Sequence, residues 1–201
     1  MKYTIDDIQI FIATYNRAEY LKQSIESILS QTAGVKEITV LDNDSPDNTE
    51  EVVISYADKG VKYVKTTGFL GNFYKAKELA NLSYCMLFHD DDILHPEYLE
   101  FALELLNKYD NISLIATKYQ EFWKDKIPEI KRIPKKDYYF FQTQNDFVKY
   151  MYFVEQIAYA NAIYRTKEFK IHDLEFEKYN KFNDWPFMMK FTATGNSIII
   201  N

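Results

Sequence analysis

The chain has 201 residues, of which 47% are hydrophobic, and its formal net charge at pH 7 is −6. This length supports one domain with a sizeable core, or one domain with a small appendage. The acidic balance argues against a nucleic-acid-binding protein, because such a protein needs a basic footprint across its surface.

The cysteine content and the hydropathy pattern favour a cytoplasmic protein. The single cysteine, Cys85, cannot form an intrachain disulfide, which fits a reducing compartment. No run approaches about 18 uninterrupted apolar residues, the length that a membrane-spanning helix needs. Residues 1–7 also lack the apolar segment of a signal peptide.

Apolar residues predict strands and helices in regular alternation between residues 8 and 117. Short runs rich in β-branched residues indicate five strands, and apolar residues at helical spacing indicate helices between them. The predicted strands cover residues 8–13, 37–41, 61–65, 84–88 and 112–117, and the helices start near residues 16, 49, 72 and 96. This alternation is typical of an α/β domain with a mostly parallel sheet.

The first of these helices is expected to begin at Asn16. Asn16 and Glu19 have the spacing of a capping box, in which each side chain accepts a hydrogen bond from the other residue's backbone. Leu21, Ile25 and Ile28 then supply an apolar stripe at helical spacing.

The alternation stops after residue 117, which divides the single domain into a first half, 1–117, and a second half, 118–201. Residues 118–144 are rich in Lys, Pro and Tyr and are interpreted as a surface excursion. The second half is predicted to contain helices over residues 145–153 and 183–193 and a strand that starts at Ser197.

Basic residues are concentrated in the surface excursion. They are interpreted either as a solvated loop or as a patch that contacts anionic lipid or a lipid-phosphate acceptor. The second interpretation would place the protein peripherally at the inner face of the cell membrane. The cluster consists of Lys124, Lys126, Lys131, Arg132, Lys135 and Lys136.

Polar clusters follow three of the predicted strands directly. They occupy residues 14–17, 42–44 and 89–92. Ligands of open parallel sheets bind outside the carboxyl ends of the strands, so these three segments are expected to converge on one rim. This convergence indicates a binding site more strongly than any one of the clusters does alone.

Three consecutive carboxylates, Asp90, Asp91 and Asp92, end the fourth predicted strand. Like charges this close raise one another's pKa unless a positive charge joins them. Mg²⁺ or Mn²⁺ would supply that charge, because both prefer oxygen ligands and both can neutralise a departing diphosphate. The alternative is a solvated acidic turn that caps the next helix, and Asp92 is interpreted as supporting that turn.

Four further residues each allow a structural and a functional interpretation. Asp184 is either a helix cap or a general base for an acceptor hydroxyl. Trp185 either packs in the core or stacks on a sugar ring. Tyr15 is either an ordinary half-buried tyrosine or a neighbour of a flat nucleobase. Asp42 either closes an Asx-turn or accepts a hydrogen bond from a base N–H.

The three histidines show no metal-ligand spacing and have no partner cysteine pair. They are His89, His95 and His172. The sequence also contains neither a phosphate-binding P-loop motif nor the Gly-x-Ser-x-Gly elbow of α/β-hydrolases. These absences disfavour a P-loop nucleotide hydrolase and an α/β-hydrolase.

The motifs resemble those of the family 2 inverting glycosyltransferases of bacteria. The similarity in order and spacing extends over about residues 8–117. Its four motifs are Ile10–Arg17, Ser24–Thr32, Val40–Ser45 and His89–Pro96. Asn183 and Asp184 resemble a later Glu-Asp motif of the same family.

The resemblance implies a GT-A fold, a nucleotide-diphospho-sugar donor, and Mn²⁺ or Mg²⁺ as cofactor. It divides the domain into a nucleotide-sugar-binding half, 1–117, and an acceptor-side half, 118–201. The donor-binding residues that it implies are Thr14, Tyr15, Asp42, Asn43, Asn72 and Asp90. It implies Asp91 as the metal ligand and Asp184 as the catalytic base. Trp185, beside Asp184, is predicted as an acceptor contact because its ring can stack on a sugar.

Three positions depart from the family pattern. Asn43 replaces a second aspartate in the base-recognition turn, which leaves UDP- and dTDP-sugars both open. His89 replaces the first acid of the aspartate motif, and Asn183 replaces the glutamate before the base. Family members usually continue past the strand that starts at Ser197, so a truncated C-terminus is expected.

The resemblance therefore implies transfer of a hexose-type sugar from a UDP- or dTDP-sugar to a hydroxyl acceptor. The acceptor is expected to be a glycan or a lipid-linked molecule in surface polysaccharide or glycoconjugate synthesis. One alternative is a binding module that keeps the scaffold without turnover. A sugar nucleotidyltransferase would need a Gly-rich basic loop after the first strand, and residues 14–17 do not provide one.

Overall fold

Five apolar segments form strands where the sequence predicts them. The computed structural model describes residues 1–122, 126–130, 136–154, 157 and 159–201. The strands are β1 (Ile8–Thr14), β2 (Ile38–Asp42), β3 (Val61–Lys65), β4 (Tyr84–His89) and β5 (Ile112–Thr117). The helices that connect them are α1 (Ala18–Leu29), α2 (Thr49–Ile54), α3 (Gly71–Leu79) and α4 (Tyr98–Lys108).

The described residues of the second half form three strands and four helices. The strands are β6 (Tyr138–Phe141), β7 (Ile163–Arg165) and β8 (Asn196–Ile200). The helices are α5 (Gln144–Phe153), α6 (Thr166–Ile171), α7 (Phe176–Tyr179) and α8 (Asp184–Thr192). Neither β6 nor β7 is predicted by the sequence, because β6 lies in the supposed surface excursion and β7 is too short to show a period.

All eight strands join one sheet in the order β3-β2-β1-β4-β7-β5-β8-β6. β7 pairs antiparallel with both β4 and β5, and β6 pairs antiparallel with β8. The remaining pairs are parallel, so the expected mostly parallel α/β sheet is confirmed. Because β7 is inserted between β4 and β5, a strand from the second half of the chain separates two strands of the first half.

Side chains alternate between two hydrophobic cores, one on each face of the sheet. In β1, Ile10 and Ile12 face the core that contains α1 and α4. Phe11 faces the opposite core, which contains α3, α5 and α8. Full burial of each such side chain contributes about 1.5–3 kcal/mol. Helices on both faces therefore hold the strand ends rigidly at the rim.

The first helix begins two residues later than its expected cap. Asn16 adopts the left-handed conformation, with φ 55°, and α1 starts at Ala18. The predicted capping box of Asn16 and Glu19 is therefore wrong. The Ala18 N–H donates instead to Asp47 Oδ2 at 3.1 Å, a residue on the turn before α2. Asp47 Oδ1 also accepts the Thr49 N–H at 3.1 Å, so one carboxylate serves two helix starts.

Two surface features of the sequence are only partly described. Lys126 and Lys136 of the basic cluster are described, and Lys136 pairs with Glu104 of α4. The other members of the cluster lie outside the described residues. Within the described ranges, no helix combines the length and the apolar character that crossing a bilayer requires.

Gly60 provides a test of how the turn before β3 is built. Its φ is +85°, and a Cβ added there would lie 2.0 Å from the carbonyl oxygen of Lys36. Gly60→Ala should lower the free energy of unfolding by about 1–2 kcal/mol for the left-handed backbone, and by roughly 1–3 kcal/mol more for overpacking. Urea denaturation measures this loss.

Gly34 is the matched control, because its φ is +74° and no atom lies within 4 Å of an added Cβ. Gly34→Ala should therefore lower the free energy of unfolding only by the cost of the left-handed backbone, about 1–2 kcal/mol. Equal losses for the two variants would contradict the contact with Lys36.

Asp47→Ala should lower the free energy of unfolding by about 1 kcal/mol, since two helix starts lose an acceptor. Burial raises the pKa of Asp47, but hydrogen bonds from Thr49 and Ala18 outweigh it and hold the pKa below its ordinary 3.8. The stabilisation is therefore present above that pH and is lost as pH falls through the folded-state pKa. Urea denaturation near neutral pH and well below 3.8 checks this. A loss of equal size at both pH values would argue against the capping role.

Candidate active site

Three strand ends meet at one rim because β1 lies between β2 and β4. The parallel register pairs Thr14 with Asp42 and Ala13 with His89. The Asn16 N–H also donates to Ser45 Oγ at 2.8 Å, which joins the turn after β1 to the turn after β2. The structure therefore brings together the three polar clusters that the sequence singled out.

Asp90 lies at the centre of this rim and is almost fully buried. Its Oδ2 accepts hydrogen bonds from Thr14 Oγ1 at 2.8 Å and from the Tyr15 N–H at 3.3 Å. Its Oδ1 accepts from Arg17 Nη1 at 3.3 Å. Burial raises the pKa of Asp90, while the Thr14 hydroxyl and the Arg17 charge oppose that rise.

Arg17 is a site residue to which the sequence analysis gave no role. Its Nη1 lies 2.6 Å from Asp91 Oδ2, and each of the two side chains is about half exposed. Pairs this accessible contribute only about 0–1 kcal/mol. A competing cation could therefore separate Asp91 from Arg17 at little cost. The signal in the sequence was that Arg17 is the last residue of the polar cluster after the first strand.

Asp91, Asp92 and His89 form a group that is suited to a divalent cation. One ligand atom from each of the three residues lies within 4.8 Å of the others. Two carboxylate oxygens and one imidazole nitrogen are acceptable ligands for Mn²⁺, and the open side would admit further oxygens. The donor set therefore fits the cofactor that the sequence implied.

His89 corrects the expectation from the histidine spacing. It stands at the end of β4, so the turn that follows folds Asp91 and Asp92 back towards its imidazole. Burial raises the pKa of Asp92, and the charge of His89 opposes that rise. Asp92 also holds the turn through its carbonyl, which accepts from Ser24 Oγ at 2.7 Å.

Asn72, at the start of α3, connects three elements of the rim. Its Nδ2 donates to the carbonyl of Thr14 at 3.1 Å, and its Oδ1 accepts from Thr66 Oγ1. The Asn43 N–H donates to the same Thr14 carbonyl at 3.1 Å. Thr66 is buried and was missed, because nothing in its sequence context distinguishes it from a loop threonine.

Asp42 is buried, and both of its carboxylate oxygens accept hydrogen bonds from the protein. Oδ1 accepts from the N–H of Ser45 at 3.1 Å and from the Ser45 hydroxyl. These are the local contacts that the Asx-turn interpretation of Asp42 predicts. Oδ2 accepts from Tyr63 Oη at 2.8 Å. Burial and the Asp42 charge raise the pKa of Tyr63, so its phenol remains a donor. Tyr15 is 55% exposed on the same side.

Asp184 is the first residue of α8 and reaches the rim from the second half of the chain. It lines one cleft, with a volume of about 1390 Å³, together with His89, Asp91 and Asp92. Burial raises the pKa of Asp184, and the charge of His89 opposes that rise. A carboxylate with a raised pKa is a stronger base than an ordinary aspartate.

The neighbours of Asp184 differ in their exposure. Trp185 lines the cleft and is also packed against the core, so its stacking and packing interpretations are compatible. Asn183 is buried and donates to the carbonyl of Asn180. Asn183 precedes α8 and its carbonyl accepts from the Phe187 N–H at 3.0 Å, whereas its side chain makes no capping hydrogen bond among the described residues.

Comparison with known proteins identifies the family. The model of the glycosyl transferase family 2 matches residues 9–168, and the chain belongs to this family. A glycosyltransferase of Rickettsia typhi is 36% identical over 111 residues, which are 54% of this chain and 35% of that protein. The chain thus spans about a third of the length of this curated relative.

Solved structures with low sequence identity share the fold. TarS of S. aureus in complex with UDP has a TM-score of 0.71 and 20% identity, over 96% of this chain and 57% of that one. Glucosyl-3-phosphoglycerate synthase from Mycobacterium tuberculosis, in complex with Mn²⁺, UDP and phosphoglyceric acid, has a TM-score of 0.54 and 16% identity. The latter match covers 80% of this chain and 56% of that one. The fold is the GT-A fold that the sequence predicted.

Proposed function

We propose that this member of glycosyl transferase family 2 is an inverting enzyme that moves a hexose-type sugar from a UDP- or dTDP-sugar to a hydroxyl acceptor. The observation that carries the proposal is a shared cleft, in which Asp184 faces the group formed by His89, Asp91 and Asp92. One side of this cleft offers a base, and the other offers ligands for a cation that binds diphosphate. The proposed acceptor is a glycan or lipid-linked molecule of surface polysaccharide or glycoconjugate synthesis.

The donor nucleotide is assigned to the rim at the ends of β1, β2 and β4. UDP in the TarS complex supports uridine as the base. Asp90 is proposed to contact the ribose, since Thr14, Tyr15 and Arg17 already fix the position of its carboxylate. The base is proposed to lie beside Thr14, Tyr15, Asp42 and Asn43, with Asn72 as a further donor contact.

The proposed cofactor is Mn²⁺ or Mg²⁺, held by Asp91 with Asp92 and His89. When bound, such an ion supplies positive charge that stabilises a departing diphosphate. Mn²⁺ in the glucosyl-3-phosphoglycerate synthase complex supports this choice. Asp91 must leave Arg17 in order to bind the ion, and the partly exposed ion pair allows that exchange.

Asp184 is proposed to act as the general base. Its carboxylate would accept the proton of the acceptor hydroxyl while the hydroxyl oxygen attacks the anomeric carbon. The bond from that carbon to the diphosphate oxygen breaks as the new glycosidic bond forms, so the configuration inverts. Trp185, one residue further along α8, is proposed to stack on the acceptor sugar.

Asp91→Asn should weaken Mn²⁺-dependent UDP binding about tenfold or more, which corresponds to at least ~1.4 kcal/mol. The variant loses one negative ligand but keeps a similar shape. Isothermal titration with UDP, with and without Mn²⁺, measures the effect. Asp110→Asn is the matched control, because Asp110 is exposed and pairs only with Lys2 among the salt bridges of the described residues.

Unchanged Mn²⁺-dependent affinity in Asp91→Asn would refute the assigned metal role. Wild-type protein that binds a UDP-sugar with Mn²⁺ but neither transfers nor hydrolyses it would instead indicate the non-catalytic binding module.

Asp184→Asn should lower the turnover of a UDP-sugar by about 10²- to 10⁴-fold and leave the Kd of UDP unchanged. The reason is that the variant keeps the shape of the cleft but cannot accept a proton. In the wild type, kcat/KM should fall as pH drops through the raised pKa of Asp184, at a pH above 3.8. Steady-state kinetics and UDP titration check both expectations. A parallel loss of turnover and UDP affinity would make Asp184 a structural residue.

A further inference from the structure

Two polar atoms in the segment that leads into β7 are buried without a hydrogen-bond partner among the described residues. They are Tyr159 Oη and Asn161 Oδ1. Leaving such a group unpaired costs about 1–3 kcal/mol, and most buried polar groups in folded proteins are paired. Other described side chains, such as that of Ser197, also bury an unpaired atom, so the place of these two atoms in the molecule decides their interpretation.

Both residues line the cleft that contains Asp184 and the metal-ligand group. Tyr159 is 8% exposed, and its ring lies 6.2 Å from that of His89 and 5.7 Å from that of Phe187 in α8. It thus lies between the residue that ends β4 and the helix that carries Asp184. Residues 159 and 161 are two positions apart and belong to the same stretch of cleft wall.

The chemistry of the pair suits a sugar hydroxyl. Burial raises the pKa of Tyr159, and the Asp184 charge adds to that rise, so the phenol stays protonated and can donate. The side-chain oxygen Oδ1 of Asn161 can only accept a hydrogen bond. A sugar offers hydroxyls that can accept from the phenol and others that can donate to the amide oxygen, whereas a diphosphate oxygen could satisfy only the phenol.

We propose that Tyr159 and Asn161 form the subsite that selects the sugar of the nucleotide-sugar donor. This inference rests on the proposed function and assigns specificity to two residues outside the strand-end motifs. Each group would recognise a sugar hydroxyl in a particular orientation, because an epimer without that hydroxyl leaves the group unpaired. Sites of this kind discriminate strongly, since rejection of the wrong ligand includes the desolvation of the site's own polar groups.

The test compares affinity for nucleotide-sugars with affinity for UDP alone. Wild type and variants are titrated in the presence of Mn²⁺ with UDP, UDP-glucose, UDP-galactose and UDP-N-acetylglucosamine. Tyr159→Phe and Asn161→Ala should each weaken the best-bound nucleotide-sugar about fivefold or more and leave the Kd of UDP unchanged. The differences in Kd among the three nucleotide-sugars should become smaller in both variants.

A stability measurement separates this role from a structural one. Tyr159→Phe removes an unpaired hydroxyl, so the Tm of the ligand-free variant should equal or exceed that of the wild type. Tyr84→Phe is the matched control, because Tyr84 Oη donates to the carbonyl of Ile112 at 3.0 Å, away from the cleft. The control should lower Tm and leave every ratio of sugar to UDP affinity unchanged.

Three results would overturn the proposal. Unchanged nucleotide-sugar affinity in both variants refutes the subsite while leaving the proposed transferase function intact. Equal loss of UDP and nucleotide-sugar affinity would assign the two residues to the general shape of the cleft. Wild-type protein that binds neither UDP nor any of the nucleotide-sugars would refute the proposed function and the subsite together.

Discussion

Crowding of negative charge at the end of β4 is the constraint on which the site depends. Three consecutive aspartates cannot all ionise in one environment without strong repulsion. The fold gives each a different solution. Asp90 is buried and receives hydrogen bonds from the turn after β1, and Asp91 remains accessible beside Arg17. Asp92 is partly buried and lies near His89. This division separates a carboxylate that is fixed by hydrogen bonds from one that can exchange its partner, as the proposed donor site with a cation would need.

The same division depends on the rigidity of the neighbouring turns. Thr14 reaches Asp90 because β1 pairs with β4, and Arg17 reaches it from the turn after β1, which is joined to the turn after β2. The Asn16–Ser45 and Ala18–Asp47 hydrogen bonds provide that connection. The register of parallel strands sets the spacing, and side chains from the adjacent turn then fix the loop conformations. The start of α1 is therefore determined by a residue almost thirty positions away rather than by its own sequence.

The antiparallel strand β7 has the largest effect on the second half of the cleft. Its insertion between β4 and β5 places the preceding segment beside the acidic group. Tyr159 and α8, which carries Asp184, thereby come to face residues from the first half. The cleft thus has two parts. One is a rim of strand ends, where ligands of open parallel sheets bind. The other is a wall formed by the segment that leads into β7.

The sequence by itself determined strands β1 to β5 and β8, helices α1 to α5 and α8, and the convergence of the polar clusters. These features follow from local periodicity and from where buried strands end. It did not predict β6 or β7, since a strand of three or four residues has no readable period and depends on its neighbours for pairing. It also could not show that His89 joins Asp91, or that Arg17 neutralises it. Those contacts arise where side chains from separate turns meet in space, which only the tertiary structure decides.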